Sequence, residues 1–246
     1  MAKKPRRPSR PTGPAGPVRR NKAAPAERFP PRTPPKKTAK VVFDAPAPEP
    51  EEPRTFRLGA VEGATPGKWI DAWKQRMPHV PIELVPLTLS EQRTAIEQVD
   101  AALVRLPLAD DALHVITLYD ELPVVVVPID SHLLAADELT ADDLAGEVVL
   151  AVADDPLPSL SIPDAATARV AALPAADAIA TAATGVGIVV VPMSIARLHH
   201  RKDVDHRLLA DGPTSTVALA WMRDRTTPDV ETFVGIVRGR TANSSR

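Results

Sequence analysis

The stretch at residues 178–194, AIATAATGVGIVVVPMS, constrains the fold of this chain more than any other. Small residues typical of a helix lead into Gly185-Val186-Gly187, and the aliphatic residues 188–191 and Pro192 follow. Four aliphatic residues without polar alternation indicate a strand covered on both faces, as in a parallel sheet. Gly185 suits the left-handed position after a helix, and Pro192 suits the first turn of the next helix. The stretch therefore predicts an α/β unit.

The same pattern precedes this stretch along the chain. FRLGAV at residues 56–61 predicts a strand, residues 66–77 an amphipathic helix with Trp69 and Trp73 on its core or dimer face, and residues 81–87 a second strand. A helix that Ser90 would cap and a strand over residues 100–105 follow. This β-α-β-α-β order predicts a parallel sheet with right-handed crossovers.

Several kinds of functional site are excluded by composition and spacing. The glycines at 185 and 187 follow a helix and precede a strand, the reverse of a dinucleotide-binding loop. The chain has no cysteine, so it forms no disulfide and no zinc–thiolate site. His199 and His200 are adjacent and cannot share a helix face as metal ligands. Ser194 has no nucleophile motif around it, and Asp154-Asp155 is typical of a turn. We expect a protein that is not an enzyme and has no metal or cofactor.

Charge divides the chain into a basic arm and an acidic body. The first 40 residues hold thirteen Lys and Arg and one acid, Glu27; the other 206 residues hold 17 basic and 30 acidic side chains. Fourteen of the 28 prolines lie in residues 1–53, which contain few large apolar residues. A segment of this composition cannot offset its ordering entropy, so residues 1–54 are predicted to be a disordered tail ending in an acidic spacer.

The basic arm suggests contact with nucleic acid. Many cations with almost no acids neutralise phosphates with steep salt dependence and little sequence choice. The alternative is that the arm folds back onto its own acidic body. The cations that we expect to contact DNA are Lys3, Lys4, Arg6, Arg7, Arg10, Arg19, Arg20, Lys36 and Lys37. Neither a secretory signal nor an apolar run of membrane-spanning length is present, so we expect a soluble, cytoplasmic protein with no membrane contact.

A series of segments in order resembles one known family. They are FRLGAV, PIELVP, VDAALVRLP, ELPVVVVPIDSHLLA, LTADDLAGE, ATGVGIVVVP and VALAWMRDR. Together they resemble the effector-binding (substrate-binding) domain of LysR-type transcriptional regulators. Two departures are visible: the basic arm stands where that family has a winged helix-turn-helix, and residues 154–167 are short and proline-rich where a helix is usual.

The resemblance implies a fold and a partner state. It implies a two-lobed α/β domain over residues 55–246, similar to the type II periplasmic binding proteins. Lobe one would be roughly residues 55–127 plus 216–246, and lobe two roughly 128–215, with Pro128 and Ile129 at the first crossing between lobes. It also implies a homodimer.

A small-molecule effector would lie between the two lobes. The positions that match the cleft mouth are Glu62, Thr65, Thr88, Ser90, Arg105 and Pro128. Arg105 could grip a carboxylate with its guanidinium fork, whereas Glu62 would favour an uncharged or cationic ligand. The alternative is that Thr88 and Ser90 only cap a helix and that Arg105 pairs with a surface acid.

Two functions follow from these features. The first is a LysR-like regulator or co-regulator that binds an effector in its cleft and contacts nucleic acid through its arm without sequence choice. The alternative is a non-sensing interaction or dimerisation module that the arm tethers to nucleic acid or another polyanion.

Overall fold

The structure, a computed structural model, describes residues 53–157, 160, 162–164, 166–167 and 171–239. The nine arm cations named above lie outside this part of the chain. In chain order the elements are β1 (Phe56–Val61), α1 (Gly67–Arg76), β2 (Ile82–Leu87), α2 (Gln92–Ala95), β3 (Ala101–Arg105), β4 (Leu113–Glu121), β5 (Pro123–Pro128), β6 (Glu138–Leu139), β7 (Val148–Val149), β8 (Ala166–Thr167), α3 (Ala175–Ala182), β9 (Val189–Pro192), α4 (Met193–Leu198), β10 (Val204–Leu209), β11 (Ser215–Met222) and α5 (Pro228–Val237). No helix among the described residues is long and apolar enough to cross a membrane.

The first of two larger sheets has five strands in the order β2-β1-β3-β11-β4. Strand β1 pairs in parallel with β2 and β3, so the predicted parallel arrangement of the first three strands is confirmed. Strand β11 returns from the far end of the chain and pairs antiparallel with both β3 and β4. The C-terminal strand thus completes a sheet that the N-terminal half begins.

An aromatic cluster joins this sheet to α1 and α5. Phe56 lies 4.5 Å from Trp73 and 5.1 Å from Phe233, measured between ring centroids, and all three side chains are buried. The indole N–H of Trp73 donates to the carbonyl of Val80 at 2.8 Å, which satisfies its one polar group. Trp69 is also buried. Both tryptophans of α1 therefore pack into the core of their own domain.

The second sheet has four strands in the order β6-β10-β5-β9, and its strand β9 comes from the stretch at residues 178–194. The predicted succession is present: α3, Gly185 with φ of +77°, β9, and α4. The expectation of parallel pairing for this strand is wrong, because β9 pairs antiparallel with β5. Its aliphatic run reflects cover on both faces: Val189 and Val191 pack with α3 and α4, and Val190 packs with Leu133 and Leu144 on the opposite side.

The chain passes between the two sheets twice. It leaves the first sheet after Glu121, at the end of β4, and enters the second at Pro123, with only Leu122 between them. It returns between Leu209 and Ser215. Pro128 was expected at the first crossing, but it lies at the far end of β5, paired with Val204. A uniform run of buried valines gives no indication of where the chain passes from one sheet to the other. The sequence therefore predicted the crossing too far along the chain.

The segment after β2 also differs from the expectation. The predicted second helix is a single turn, α2, continued by a 3-10 turn over Ile96–Gln98. Ser90 was expected to cap it, but the hydroxyl that accepts the N–H of Glu91 belongs to Thr88, at 3.3 Å. The hydroxyl of Ser90 donates instead to the carboxylate of Asp154, at 3.3 Å.

Candidate ligand-binding cleft

A cavity of about 500 Å³ lies between the two sheets. From the first sheet and its loops it is lined by residues 60–62, 86–89, 91 and 105, and from the second by residues 152–154, 156, 175, 191 and 195. The walls are mainly aliphatic, because β1, β2 and β9 end here and carry apolar residues to their last positions. The volume is within the range of sites for small organic ligands, roughly 300–1,000 Å³.

A buried ion pair lies beside the cavity where the chain passes between sheets. The guanidinium of Arg105, at the end of β3, is 2% exposed and donates from Nη1 to the carboxylate of Glu121 at 2.7 Å. Glu121 is 7% exposed. Nη1 also donates to the hydroxyl of Ser215 at 2.8 Å. Glu121 ends β4 and Ser215 begins β11, so Arg105 binds both segments that cross between the sheets.

The same ion pair reaches across to the second sheet. The hydroxyl of Ser194, on α4, donates to Glu121 at 2.7 Å and accepts from Nη2 of Arg105 at 3.4 Å. Nη2 also donates to the carbonyl of Glu62, in the loop after β1, at 3.1 Å. Charges this deeply buried are tolerated only when they are paired and hydrogen-bonded, and this network meets both conditions.

The backbone of Arg105 is fixed by a buried amide. Its N–H donates to the side-chain carbonyl of Gln92 at 2.9 Å, and its carbonyl accepts from the amide nitrogen of Gln92 at 3.0 Å. The Gln92 amide therefore satisfies both backbone groups of Arg105, as a neighbouring strand would. The short helix α2 is thereby attached to the end of β3.

Two further contacts join the opposite walls of the cleft. The carboxylate of Glu62 lies 2.6 Å from Nε2 of His199, at the end of α4. The carboxylate of Asp154, which has a left-handed backbone with φ of 57°, accepts from the N–H of Ser90 at 3.1 Å and from its hydroxyl at 3.3 Å. Each contact pairs an acid on one side with a donor on the other.

The ion pair also affects a neighbouring phenol. Partial burial raises the pKa of Tyr119, and the nearby carboxylate of Glu121 raises it further, while Arg105 acts in the opposite direction. Tyr119 therefore stays protonated at neutral pH.

The structure brings together half of the residues that the sequence suggested for the cleft. Glu62, Thr88 and Arg105 line the cavity. Thr65 lines a second cavity of about 620 Å³ together with Leu84 and Leu198. Ser90 lies just outside the main cavity, against Asp154, and Pro128 is remote from it.

The structure contradicts the alternative in which Arg105 pairs with a surface acid, since its partner Glu121 is buried. That Arg105 contacts an effector stays a prediction. Sequence reasoning did not identify Glu121, Ser194 and Ser215. The sequence did contain one indication, because Glu121 ends a strand and directly precedes an uninterrupted apolar run. An acid at such a position needs a buried or interfacial partner.

No group of three or more His, Cys, Asp or Glu that could hold a metal ion is present among the described residues. The groups that line the cleft are apolar side chains, three carboxylates, the hydroxyl of Thr88 and one paired guanidinium. Such a set can enclose the apolar body of a ligand and accept hydrogen bonds from its polar groups.

Comparison with known proteins identifies the domain. A family model described as the LysR substrate binding domain matches residues 50–242, most of the chain. The chain belongs to the LysR substrate binding domain family. The resemblance seen in the ordered segments is thus confirmed, and with it the two-sheet α/β fold.

Two curated relatives are transcriptional regulators. The Hca operon transcriptional activator HcaR of Escherichia coli (strain K12) is 27% identical over 209 residues, which cover 78% of this chain and 70% of that protein. The HTH-type transcriptional regulator CatR of Pseudomonas putida is 30% identical over 165 residues, covering 61% of this chain and 56% of that protein. The chain thus matches a part of each relative, and both are regulators rather than enzymes.

Solved structures of the LysR family share the fold. The effector binding domain of BenM with its effector benzoate superimposes with a TM-score of 0.63 at 19% identity, covering 76% of this chain and 91% of that one. The reduced form of the OxyR regulatory domain from Pseudomonas aeruginosa gives 0.58 at 19% identity, covering 76% and 96%. At such identities the likeness concerns the fold.

Breaking the buried ion pair is expected to destabilise the domain. Glu121→Gln leaves Arg105 charged and buried without a counterion, which costs about 3–5 kcal/mol in the free energy of unfolding. Urea denaturation of the full chain measures this cost. The control is Asp203→Asn, which removes the exposed partner of Arg201 and should change little. Equal effects of the two substitutions would contradict the structural role of the buried pair.

Proposed function

We propose that this LysR substrate binding domain binds a small-molecule effector in the cleft between its two sheets, and that the protein regulates transcription or acts on a regulator in response. The observation that carries the proposal is the cavity of about 500 Å³ lined from both sides of the crossing. A ligand there contacts residues of both sheets, so its binding free energy depends on their relative position. That dependence is what couples occupancy of a site to a change of shape.

The family comparison supports the same proposal. BenM, whose effector binding domain is known with benzoate, shares the fold, and the two curated relatives are transcriptional regulators. The chemical class of the effector is inferred from the residues that line this cleft and not from the relatives. The reason is that Arg105, the basic side chain on the lining, is already paired with Glu121.

We also propose that residues 1–40 contact nucleic acid without sequence choice. The thirteen cations and single acid of this segment give it the charge that phosphate binding requires. Because such binding depends on the release of counterions from the phosphates, its affinity falls as salt rises. The acidic remainder of the chain repels DNA and lowers the affinity further.

We further propose that the protein forms a homodimer. The buried tryptophans of α1 do not supply the surface for it, and analytical ultracentrifugation of the full chain tests it.

A ligand that fits the cleft is expected to raise the melting temperature. At a concentration 100 times its dissociation constant, a ligand stabilises the folded state by about 2.7 kcal/mol. The measurement is a thermal-shift panel of small metabolites on the full chain.

Two substitutions locate the ligand. Ala153→Trp places an indole in the cavity from an exposed position and should abolish the shift. Ala136→Trp changes an exposed residue that does not line the cavity and should retain the shift. A shift that survives Ala153→Trp would place the ligand elsewhere. The absence of any stabilising compound would favour the non-sensing module.

Binding of DNA is expected to depend on the basic arm and on salt. A protein that contacts six to ten phosphates loses about 10³- to 10⁵-fold in affinity between 50 and 200 mM salt. Fluorescence anisotropy with a labelled random duplex measures this for the full chain. Replacing the nine arm cations named above by Gln should remove binding, while replacing Lys74 and Lys202 of the domain should not. Equal binding by both variants would refute a role for the arm.

A further inference from the structure

The basic side chain on the cavity lining is already hydrogen-bonded to other groups of the protein. Among the described residues, Arg105 is the only Lys or Arg on the cavity lining. Both terminal nitrogens of its guanidinium donate to protein oxygens, and its counterion Glu121 is 7% exposed. A ligand carboxylate could take Arg105 only by displacing Glu121, which would leave a buried carboxylate without its partner. That exchange is unfavourable.

The second set of anion-binding donors is occupied in the same way. After β2 the N–H and the hydroxyl of Ser90 point across the cleft, where a carboxylate could be held. They already hold the carboxylate of Asp154 from the opposite wall. In this segment the protein supplies its own carboxylate at the position that a ligand carboxylate would need.

The remaining charges on the cavity lining are negative. Glu62, Glu91 and Asp154 line the cavity, and the charge of Arg105 is balanced by Glu121. The rest of the lining is mainly aliphatic. All three carboxylates are exposed at the cleft mouth, so each weakens the binding of an anion at close range by about fivefold, or about 1 kcal/mol, rather than by a buried-charge energy. The lining thus opposes anions by its charge, and the donors of Arg105 and Ser90 are already occupied.

We propose that the ligand of this cleft is a small, mainly apolar molecule without negative charge, either uncharged or cationic, with N–H or O–H donors facing Glu91 and Asp154. This inference rests on the proposed function and names its ligand class. The aliphatic walls bind the body of the ligand, and the carboxylates accept its donors. Because Glu91 and Asp154 belong to opposite walls, a donor shared between them draws the walls together.

Matched sets of compounds test the charge preference directly. Benzoate, benzamide and benzylamine share one body and differ in the head group; the same three head groups on cyclohexane and naphthalene complete the panel. Binding to the full chain is measured by two-dimensional methyl NMR, using the Ile195 methyl as the reporter in the cavity. The amide or the amine of a set is expected to bind about tenfold or more tightly than its carboxylate, the scale of one charge-assisted hydrogen bond.

One substitution tests the part played by Asp154. Asp154→Asn keeps a residue that tolerates the left-handed backbone and removes the negative charge. It should reduce the disadvantage of the carboxylates by about fivefold, since one exposed repelling charge is lost. The control is Asp164→Asn, which changes another left-handed aspartate, with φ of 50°, that does not line the cavity.

The possible outcomes separate the two proposals. A carboxylate that binds the wild-type chain as tightly as its amide and amine overturns the ligand class and leaves the proposed function standing. Equal effects of Asp154→Asn and Asp164→Asn overturn the role assigned to Asp154. If no compound of any head group perturbs Ile195 at millimolar concentration, the proposed function itself is contradicted, and the ligand class with it.

Discussion

The buried pair of Arg105 and Glu121 holds the structure together where it is most easily deformed. A two-sheet domain whose chain crosses twice has a natural hinge at those crossings. Here Glu121 ends the strand before one crossing, Ser215 begins the strand after the other, and the guanidinium of Arg105 binds both. Ser194 extends the network to the second sheet. This network, together with the contacts of Glu62 with His199 and of Asp154 with Ser90, sets the arrangement of the two walls of the cleft.

On the proposal that the cleft binds an effector, the same network also limits what that effector can be. An arginine at the end of a strand, facing a cavity, is a natural receptor for a carboxylate. Once it is neutralised internally, the cavity keeps its apolar walls and loses its attraction for anions. The contact of Asp154 with Ser90 acts in the same sense. In the proposed function, the groups that fix the walls are therefore the groups that would otherwise bind an anionic ligand.

The sequence predicted the elements better than it predicted their partners. The parallel strands β1 to β3 and the succession from α3 to α4 follow from local periodicity, glycine and proline positions. The pairing of β9 could not be deduced, because cover on both faces is shared by parallel strands and by central antiparallel ones. The crossing at Leu122 was missed because the valines of β5 are buried on both sides of any boundary. The partner of Arg105 depends on the positions of two strands and of α4, which no local pattern encodes.

A distance measurement across the cleft shows whether the network of Arg105, Glu121 and Ser194 fixes the two sheets relative to each other. The chain has no cysteine, so Lys74→Cys and Asp137→Cys, both at exposed positions on opposite sides, allow clean spin labelling. Pulsed EPR should give a single narrow distance distribution, which Glu121→Gln broadens and Asp203→Asn leaves unchanged. A distribution that is equally narrow with and without Glu121 would contradict the account.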